Sequence, residues 1–323
     1  MRIAIICHFF APEPGAPSAR LLGFARAWTR MGHQVKVITA FPNHPTGMIP
    51  PRYRGRLYMK EELDGVAVFR SWVYARPRAG FFRRTLGHLS FMFSSLLFSL
   101  PRVGAVDVVV ASSPTLFSLI SGLVISRVKR VPYVIEVRDL WPAAIKGLGL
   151  MKDGPVYRLL EALELALYRA ARHVVVVTRA FKRDLVARGV PSEKISVITN
   201  GVDLQLFRPG PRSPEVEKEL DCAGRHLVLY VGNHGLSQGL ETVLEAAHLL
   251  RDRTDLVFGF VGAGAEKPRL VAAARELGLS NVRFLPVQPR DRIPDFYRTA
   301  DICLVSLRNL PIFEGFIPSK MFE

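Results

Sequence analysis

The chain has 323 residues, 49% of them hydrophobic and 22% charged, with a formal net charge of +16. That length suits two ordinary domains, each able to bury a core, and the composition excludes a disordered chain. The charge points to an anionic partner: nucleic acid, a membrane surface or a phosphorylated ligand.

Residues 2–7 read as a buried strand rather than an export signal, because His8 breaks the apolar run and Pro12-Glu13-Pro14 ends it. Cys7, Cys222 and Cys303 are odd in number and far apart, with no Cys-x-x-Cys pair. Neither a zinc ribbon nor a disulfide framework is indicated, and a reducing, cytoplasmic compartment is expected. A loop over 8–17 leads to a helix over 18–31, capped by Ser18 and ended by Gly32, then a strand over 35–39. Leu21, Leu22, Ala25, Trp28 and Met31 recur at helical spacing as the buried face. Gly15 stands just ahead of that helix, where free N–H groups suit an anion or a sugar hydroxyl, although a plain turn explains it equally well. Residues 40–65 read as one long loop, followed by a strand over 66–72.

The stretch 76–101 is basic and apolar together. Arg76, Arg78, Arg83 and Arg84 precede LGHLSFMFSSLLFSL, and no acid occurs between Asp64 and Asp107. The apolar run is 15 residues long, short of the ~20 that span a bilayer as a helix. Leu86, Leu89, Phe93, Leu96, Leu97 and Leu100 share one helical stripe. Two readings stand side by side: a helix lying in an anionic lipid interface, or a core helix packed on the sheet with solvated arginines.

Strands are expected at 107–111, 133–137, 174–177 and 195–198, with helices at 116–129, 156–172 and 179–188. Leu159, Leu160, Leu163 and Leu167 are expected to face the core. Asn200-Gly201 turns the chain, and Pro209 and Pro211 stop any helix there. The reading is therefore α/β: two Rossmann-like, doubly wound domains facing a ligand cleft. The first spans 1–199, a joint spans 200–224, and the second spans 225–323. The second carries strands at 227–231, 256–261, 282–285 and 302–305, and helices at 240–250, 269–277 and 293–300.

In open α/β sheets, ligands bind beyond the carboxyl ends of the strands. The loops there are 8–17, 112–115, 138–142, 232–239, 262–267 and 311–323. GAGAEK at 262–267 lacks the third glycine and the distant acid of a dinucleotide fingerprint, and no Walker lysine follows any glycine loop. The histidines show no metal spacing, so neither metal nor cofactor is expected.

Eight pieces, in this order and spacing, carry a resemblance: PEPGAPSAR, RDLWP, NGVD, YVGNHGLSQGLETVLEAA, FVGAG, NVRFLP, ADICLVSL and PSKMFE. Over its whole length the chain resembles the GT-B fold glycosyltransferases of family 4, most of all the WbuB-like, L-fucosamine transferase-type branch. The resemblance implies a nucleoside diphosphate sugar, UDP-linked, held by the second domain, and a polyprenyl-linked or glycan acceptor held by the first. It makes Glu323 the ribose ligand and Lys320 the diphosphate partner, with Ser319 at the start of the same helix. It brings the 232–239 loop, with Gly232, Asn233, Gly235 and Gln238, and also Gly262 and Gly15, against the donor. Asn233 and Gln238 stand where many members carry Arg and Lys. Glu314 and Glu323 are separated by eight residues where the family's paired glutamates are separated by seven, which puts Glu314 in doubt. Ser112 and Ser113 stand where some members have a histidine, leaving Ser112, Asp139 and Lys320 as the catalytic candidates. A structural partner of Arg138 is the plainer reading of Asp139, and core packing that of Trp141, the candidate wall of the acceptor site. Arg76, Arg78, Arg83 and Arg84 are the candidate contacts to an anionic membrane on the cytoplasmic face. Against the family's length, the second domain is expected to be incomplete. A nucleic-acid partner is not expected, because the aromatics near the arginines form an apolar stripe rather than a stacking platform. Sugar-nucleotide binding without turnover, or epimerisation on the same architecture, stays open as an alternative.

Overall fold

Short Val-, Ile- and Leu-rich runs bounded by Gly, Pro or Asn become buried parallel strands, because both faces of such a sheet are covered by helices. A computed structural model describes residues 1–77 and 80–323, and these fall into two units, Met1–Thr199 and Asn200–Glu323. Residues 200–224, read from the sequence as a joint, belong to the second unit.

The first unit carries β1 (Arg2–Ile6), α1 (Ala16–Arg30), β2 (Gln34–Ala40), β3 (Tyr58–Leu63), β4 (Val66–Ser71), α2 (Phe81–Ser94), β5 (Val108–Ser112) and α3 (Leu116–Lys129). It continues with β6 (Tyr133–Val137), α4 (Ala143–Gly147), α5 (Pro155–Ala170), β7 (His173–Val176), α6 (Arg179–Ala187) and β8 (Ile195–Val197). The eight strands order as β3-β4-β2-β1-β5-β6-β7-β8. All pair in parallel except β3, which runs antiparallel to β4. From β1 the chain steps to β2 on one side and later resumes at β5 on the other, so the switch point of the sheet lies between β1 and β5.

Four local expectations are corrected. The stretch 40–65 is not one loop: it contains β3, YMKEEL, whose central Lys60, Glu61 and Glu62 interrupt any apolar alternation that could announce a strand. Gly15, not Ser18, is the N-cap of α1. Its φ of 120° is open to glycine, whereas Ser18 is buried inside the first turn. Met31 is exposed, because the helix has ended before it. In α5 the inward face is Tyr157, Glu164, Leu167 and Tyr168, leaving Leu159 and Leu163 exposed. The buried Glu164 is held there by Arg188 Nη2 at 2.7 Å and by the Tyr168 hydroxyl at 2.8 Å, an inward acid that hydrophobic periodicity cannot announce.

The apolar segment packs one face on the first unit, as the core-helix reading expects, and leaves the other face exposed. α2 runs on into a π turn, Ser95–Ser99. Its inner face is Phe91, Ser94, Ser95 and Ser99, all buried; Ser99 Oγ meets Ser71 Oγ at 2.8 Å, and Ser95 Oγ meets Ser121 Oγ at 3.1 Å. Its outer face is Phe82, Leu86, Phe93 and Leu97, of which Phe82, Phe93 and Leu97 are 72%, 65% and 67% exposed.

The second unit carries α7 (Pro214–Glu219), β9 (His226–Val231), α8 (Glu241–Leu249), β10 (Leu256–Val261), α9 (Lys267–Glu276), β11 (Val282–Leu285), α10 (Ile293–Thr299) and β12 (Ile302–Cys303). Its four strands are parallel in the order β11-β10-β9-β12. One core packs Val228, Tyr230, Phe258 and Phe260 under Leu240, Leu244 and Leu270; the other packs Leu227, Leu229 and Val257 against Val216 and Phe296.

A buried carboxylate fixes the loop after β1. Glu13 accepts N–H bonds from Asn43 at 2.8 Å, His44 at 2.9 Å and Phe10 at 3.2 Å. The fully buried Arg70 donates to the Ala11 carbonyl and pairs with Glu61, closing the same loop from below. Burial pushes the Glu13 carboxyl up to about 7, against the three N–H bonds and Arg70, which favour its charge.

Two outcomes follow for stability. Phe91→Ala should cost about 3–5 kcal/mol in denaturant unfolding, and Leu97→Ser should stay within about 0.5 kcal/mol; equal losses would mean that the outer stripe is core. For Glu13, the folded state keeps a proton that the unfolded chain loses, between the ordinary glutamate value of 4.5 and about 7. The group's contribution is therefore most favourable below 4.5 and declines as pH rises to about 7. Glu13→Gln removes that decline, so its stability relative to the wild type should rise across this window by on the order of 3 kcal/mol. A pH-independent difference would contradict the assignment.

Candidate active site

In the first unit the site is built at the carboxyl ends of β1, β5 and β6. Ser112 closes β5, and its hydroxyl donates to Glu136 Oε2 at 2.7 Å. Arg20, reaching from α1, donates to Ser112 Oγ at 2.9 Å and to Glu136 Oε2 at 3.1 Å. Arg138 Nη1 lies 3.6 Å from Glu136 Oε1, and the Arg138 N–H donates to Ser113 Oγ at 2.7 Å. Burial and repulsion from Arg20 lower the Arg138 guanidinium to about 10, opposed by Glu136 and Asp139. Desolvation raises the Asp139 carboxyl above the ordinary aspartate value, while Arg138 and Arg20 oppose the rise. Arg20 thus bonds Ser112 directly and, together with Arg138, acts electrostatically on Asp139. Trp141 is half-buried, and its backbone N–H donates to the Asp139 carbonyl at 3.1 Å. Gly15 is exposed at the start of α1.

Sequence reasoning missed Glu136 and Arg20, which hold Ser112 directly. The signal was there: Glu136 is the one acid inside the apolar strand YVIEV, and such a residue needs a partner. Arg76, Arg83 and Arg84 are exposed near or within α2; Arg78 lies outside the described residues.

In the second unit two loops meet. Gly232 and Gly262 directly follow β9 and β10 with φ of 144° and 140°, and their loops approach so closely that a Cβ on Gly262 would lie 2.0 Å from the Gly232 carbonyl oxygen. The His234 N–H donates to Ala263 O at 2.9 Å, and the Glu266 N–H donates back to His234 O at 2.9 Å. Tyr230 donates to the Asn233 carbonyl at 2.8 Å, and Gln238 Oε1 accepts the Gly235 N–H at 3.1 Å. A Cβ on Gly235 would stand 2.7 Å from Asn233 Nδ2, so Gly232, Asn233, Gly235, Gln238 and Gly262 form one cradle.

Lys320 joins that cradle. Its Nζ lies 3.8 Å from the centroid of the Tyr230 ring, 2.8 Å from where a Cβ on Gly232 would be, and makes no hydrogen bond with any described residue. Burial lowers its ammonium to about 8, opposed by Glu323. Glu323 accepts from the Tyr297 hydroxyl at 3.3 Å and lies 3.6 Å from Arg290 Nη1. Glu314 is exposed and has no side-chain partner among the described residues. Ser319 opens a short 3-10 turn, Ser319–Phe322, rather than an α-helix. Lys267, unremarked in the sequence, ties the loop down through the Gly262 carbonyl at 2.7 Å. Among the described residues, no group of three or more His, Cys, Asp or Glu could hold a metal ion.

Comparison with known proteins follows the same division. Residues 15–201 match the glycosyl transferase 4-like domain, and residues 213–316 match the glycosyl transferases group 1 family. The chain is 30% identical over 297 residues to the Escherichia coli (strain K12) protein assigned to colanic acid biosynthesis as glycosyl transferase WcaI, covering 90% of this chain and 72% of that one. It is 36% identical over 188 residues to a D-inositol 3-phosphate glycosyltransferase of Nocardia farcinica, covering 54% of this chain and 41% of the relative. Its fold is similar to that of sucrose-phosphate synthase from Thermosynechococcus elongatus, with TM-score 0.72 and 18% identity over 98% of this chain and 77% of the other. It is also similar to that of WaaG, with TM-score 0.65 and 17% identity over 95% and 75%. HepE of Anabaena, solved with UDP, aligns with TM-score 0.64 and 18% identity over 95% and 74%. With two parallel α/β units and both halves matched in order, the chain belongs to the GT-B fold glycosyltransferases, its first half to the glycosyl transferase 4-like domains and its second to the glycosyl transferases of group 1.

Proposed function

We propose that the chain moves a sugar from a UDP-linked donor, an N-acetyl amino sugar in the WbuB-like reading, to a polyprenyl-linked or glycan acceptor in cell-surface polysaccharide synthesis. The observation that carries this is Lys320: a partly desolvated ammonium with no hydrogen-bond partner among the described residues, set beside the glycine cradle of the second unit. A half-buried cation of that kind is suited to a diphosphate, whose charge grows as it leaves. The relative named for colanic acid biosynthesis supports the polysaccharide setting, and HepE, solved with UDP and with UDP-glucose, supports the donor class.

In this reading the loop N–H groups and Lys320 take the diphosphate, Glu323 takes the ribose, and the sugar passes through an oxocarbenium-like state. Asp139 orients the acceptor hydroxyl or supports the positive sugar. Retention at the anomeric carbon is part of the proposal by family resemblance, and no bound metal is called upon.

The proposal places the protein at an anionic membrane on the cytoplasmic side. No helix among the described residues is long and apolar enough to cross a membrane. The outer stripe of α2, with Arg83 and Arg84 beside Phe82 and Leu86, has the composition of a helix that lies in an interface.

Calorimetry with UDP tests the donor site. Lys320 is charged below about 8, so wild-type affinity should decline as pH rises through that value. Lys320→Ala should bind at least about tenfold more weakly with that pH dependence gone, as expected for a lost charged contact, and Glu323→Ala should lose several-fold. Unchanged affinity in both variants would remove the site. Flotation tests the membrane: at low salt the protein should rise with anionic liposomes, since each basic side chain near such a surface contributes about 1 kcal/mol. Phe93→Asp should abolish this. Equal recovery with neutral liposomes, or none with anionic ones, would contradict the proposal.

A further inference from the structure

An ammonium is strongly hydrated, and holding it half out of water needs an interaction in return. Lys320 makes no hydrogen bond with any described residue, and the Glu323 carboxylate on its own turn is already engaged by Tyr297 and Arg290. What the ammonium meets is the Tyr230 ring, with Nζ 3.8 Å from the centroid. The face of an aromatic ring is its negative side and attracts a cation placed over it. Glycine at 232 leaves room for this contact, because a Cβ there would lie 2.8 Å from Nζ.

Tyr230 is itself firmly held. It is 1% exposed, lies on the interior strand β9, and stands in register with Phe260 of β10. Its hydroxyl donates to the Asn233 carbonyl at 2.8 Å. Burial raises the phenol above its ordinary value, so it stays neutral and keeps its proton for that bond. One side chain therefore reaches two parts of the cradle: the hydroxyl holds the β9 loop, and the ring face holds the cation. An ammonium rests on a ring by one side only, so its remaining N–H groups are left for an anion.

We infer that Tyr230 is a positioning residue for the donor, its ring face setting the Lys320 ammonium and its hydroxyl setting the Asn233 loop before the nucleotide arrives. This rests on the reading of the second unit as a diphosphate site and adds a residue that reading did not use. Besides Tyr230, the titratable groups facing the ammonium are Glu323 and His234. Desolvation and the Lys267 and Lys320 charges lower the His234 imidazole to about 4, so it is neutral wherever Lys320 titrates. The Lys267 ammonium is turned to the Gly262 and Leu285 carbonyls. The ring and Glu323 are therefore what favour the charged form of Lys320.

The test is Tyr230→Phe in the full chain, followed by phenylalanines bearing one, two and three ring fluorines at the same position. Fluorination nearly keeps the shape while draining negative charge from the ring face, so a role in packing alone would not respond to it. Two quantities are read: UDP affinity by calorimetry across pH, and the titration of the Lys320 ε-methylene by NMR, assigned by its loss in Lys320→Ala. A ring that holds the cation favours the charged form, so each fluorine should lower the pH at which Lys320 gives up its proton. UDP affinity near neutral pH should fall in graded steps, about tenfold from Phe to the trifluorinated ring. Affinity that stays level along the series would overturn the positioning role and leave the donor site standing. A Lys320 titration that moves along the series in a protein that binds no UDP would support the ring contact and sink the donor reading. Should the variants fail to fold, the wild type decides: its Lys320 ε-methylene protons should lie upfield of those of the other lysines, and an unshifted signal would overturn the contact.

Discussion

The parallel pairing of β1 with β5 is the constraint on which the first unit depends. It brings the end of a strand that begins at residue 2 beside one that ends at residue 112, and so sets the loop carrying His8, Glu13 and Gly15 against the loop carrying Ser112 and Ser113. Because every strand but β3 points the same way, the polar residues that follow each apolar run collect at one edge. The buried group Arg20–Ser112–Glu136–Arg138 is the consequence. It costs desolvation, and its hydrogen bonds return that cost only because the strand ends fix the geometry.

The second unit solves a similar problem with glycine. A parallel pair brings the β9 and β10 loops together at their first residues, and side chains at Gly232 and Gly262 would collide with backbone or with Lys320. With no side chains there, the two loops bond to each other through His234, and the Lys320 ammonium settles over Tyr230. The same close approach that excludes Cβ atoms brings the Lys320 ammonium against the backbone of the β9 loop. The proposed diphosphate site relies on that one cation, with uncharged residues at positions 233 and 238.

Much of this was legible in the sequence. Apolar runs bounded by Gly and Pro placed nearly every strand of both sheets, whereas Gly232, Gly235 and Gly262 were singled out through the family resemblance, since loop glycines alone also fit plain turns. Lys320 and Glu323 came through the family resemblance, not through periodicity. What escaped had physical reasons. β3 lies at the sheet edge with polar residues on one face, so its pattern resembles a loop. Ser18 looked like a cap because caps are assigned from residue type, whereas the chain turned at Gly15 and carried Ser18 inward. Glu136 and Arg20 are 116 residues apart in sequence, and only the crossover from β1 to the far side of the sheet joins them. Met31 and Leu159 were read as buried because a helical stripe has no marker for where the core beneath it stops.

The central claim is that this chain transfers a sugar, rather than only holding its nucleotide. The most direct measurement supplies the protein with radiolabelled UDP-N-acetylglucosamine and bacterial membranes bearing polyprenyl diphosphate-linked sugars, then follows label and UDP together. The account predicts label in the lipid-extractable fraction matched mole for mole by released UDP, and neither in the Lys320→Ala variant. Label that stays in the nucleotide across a panel of UDP-sugars, with UDP still bound, would contradict it.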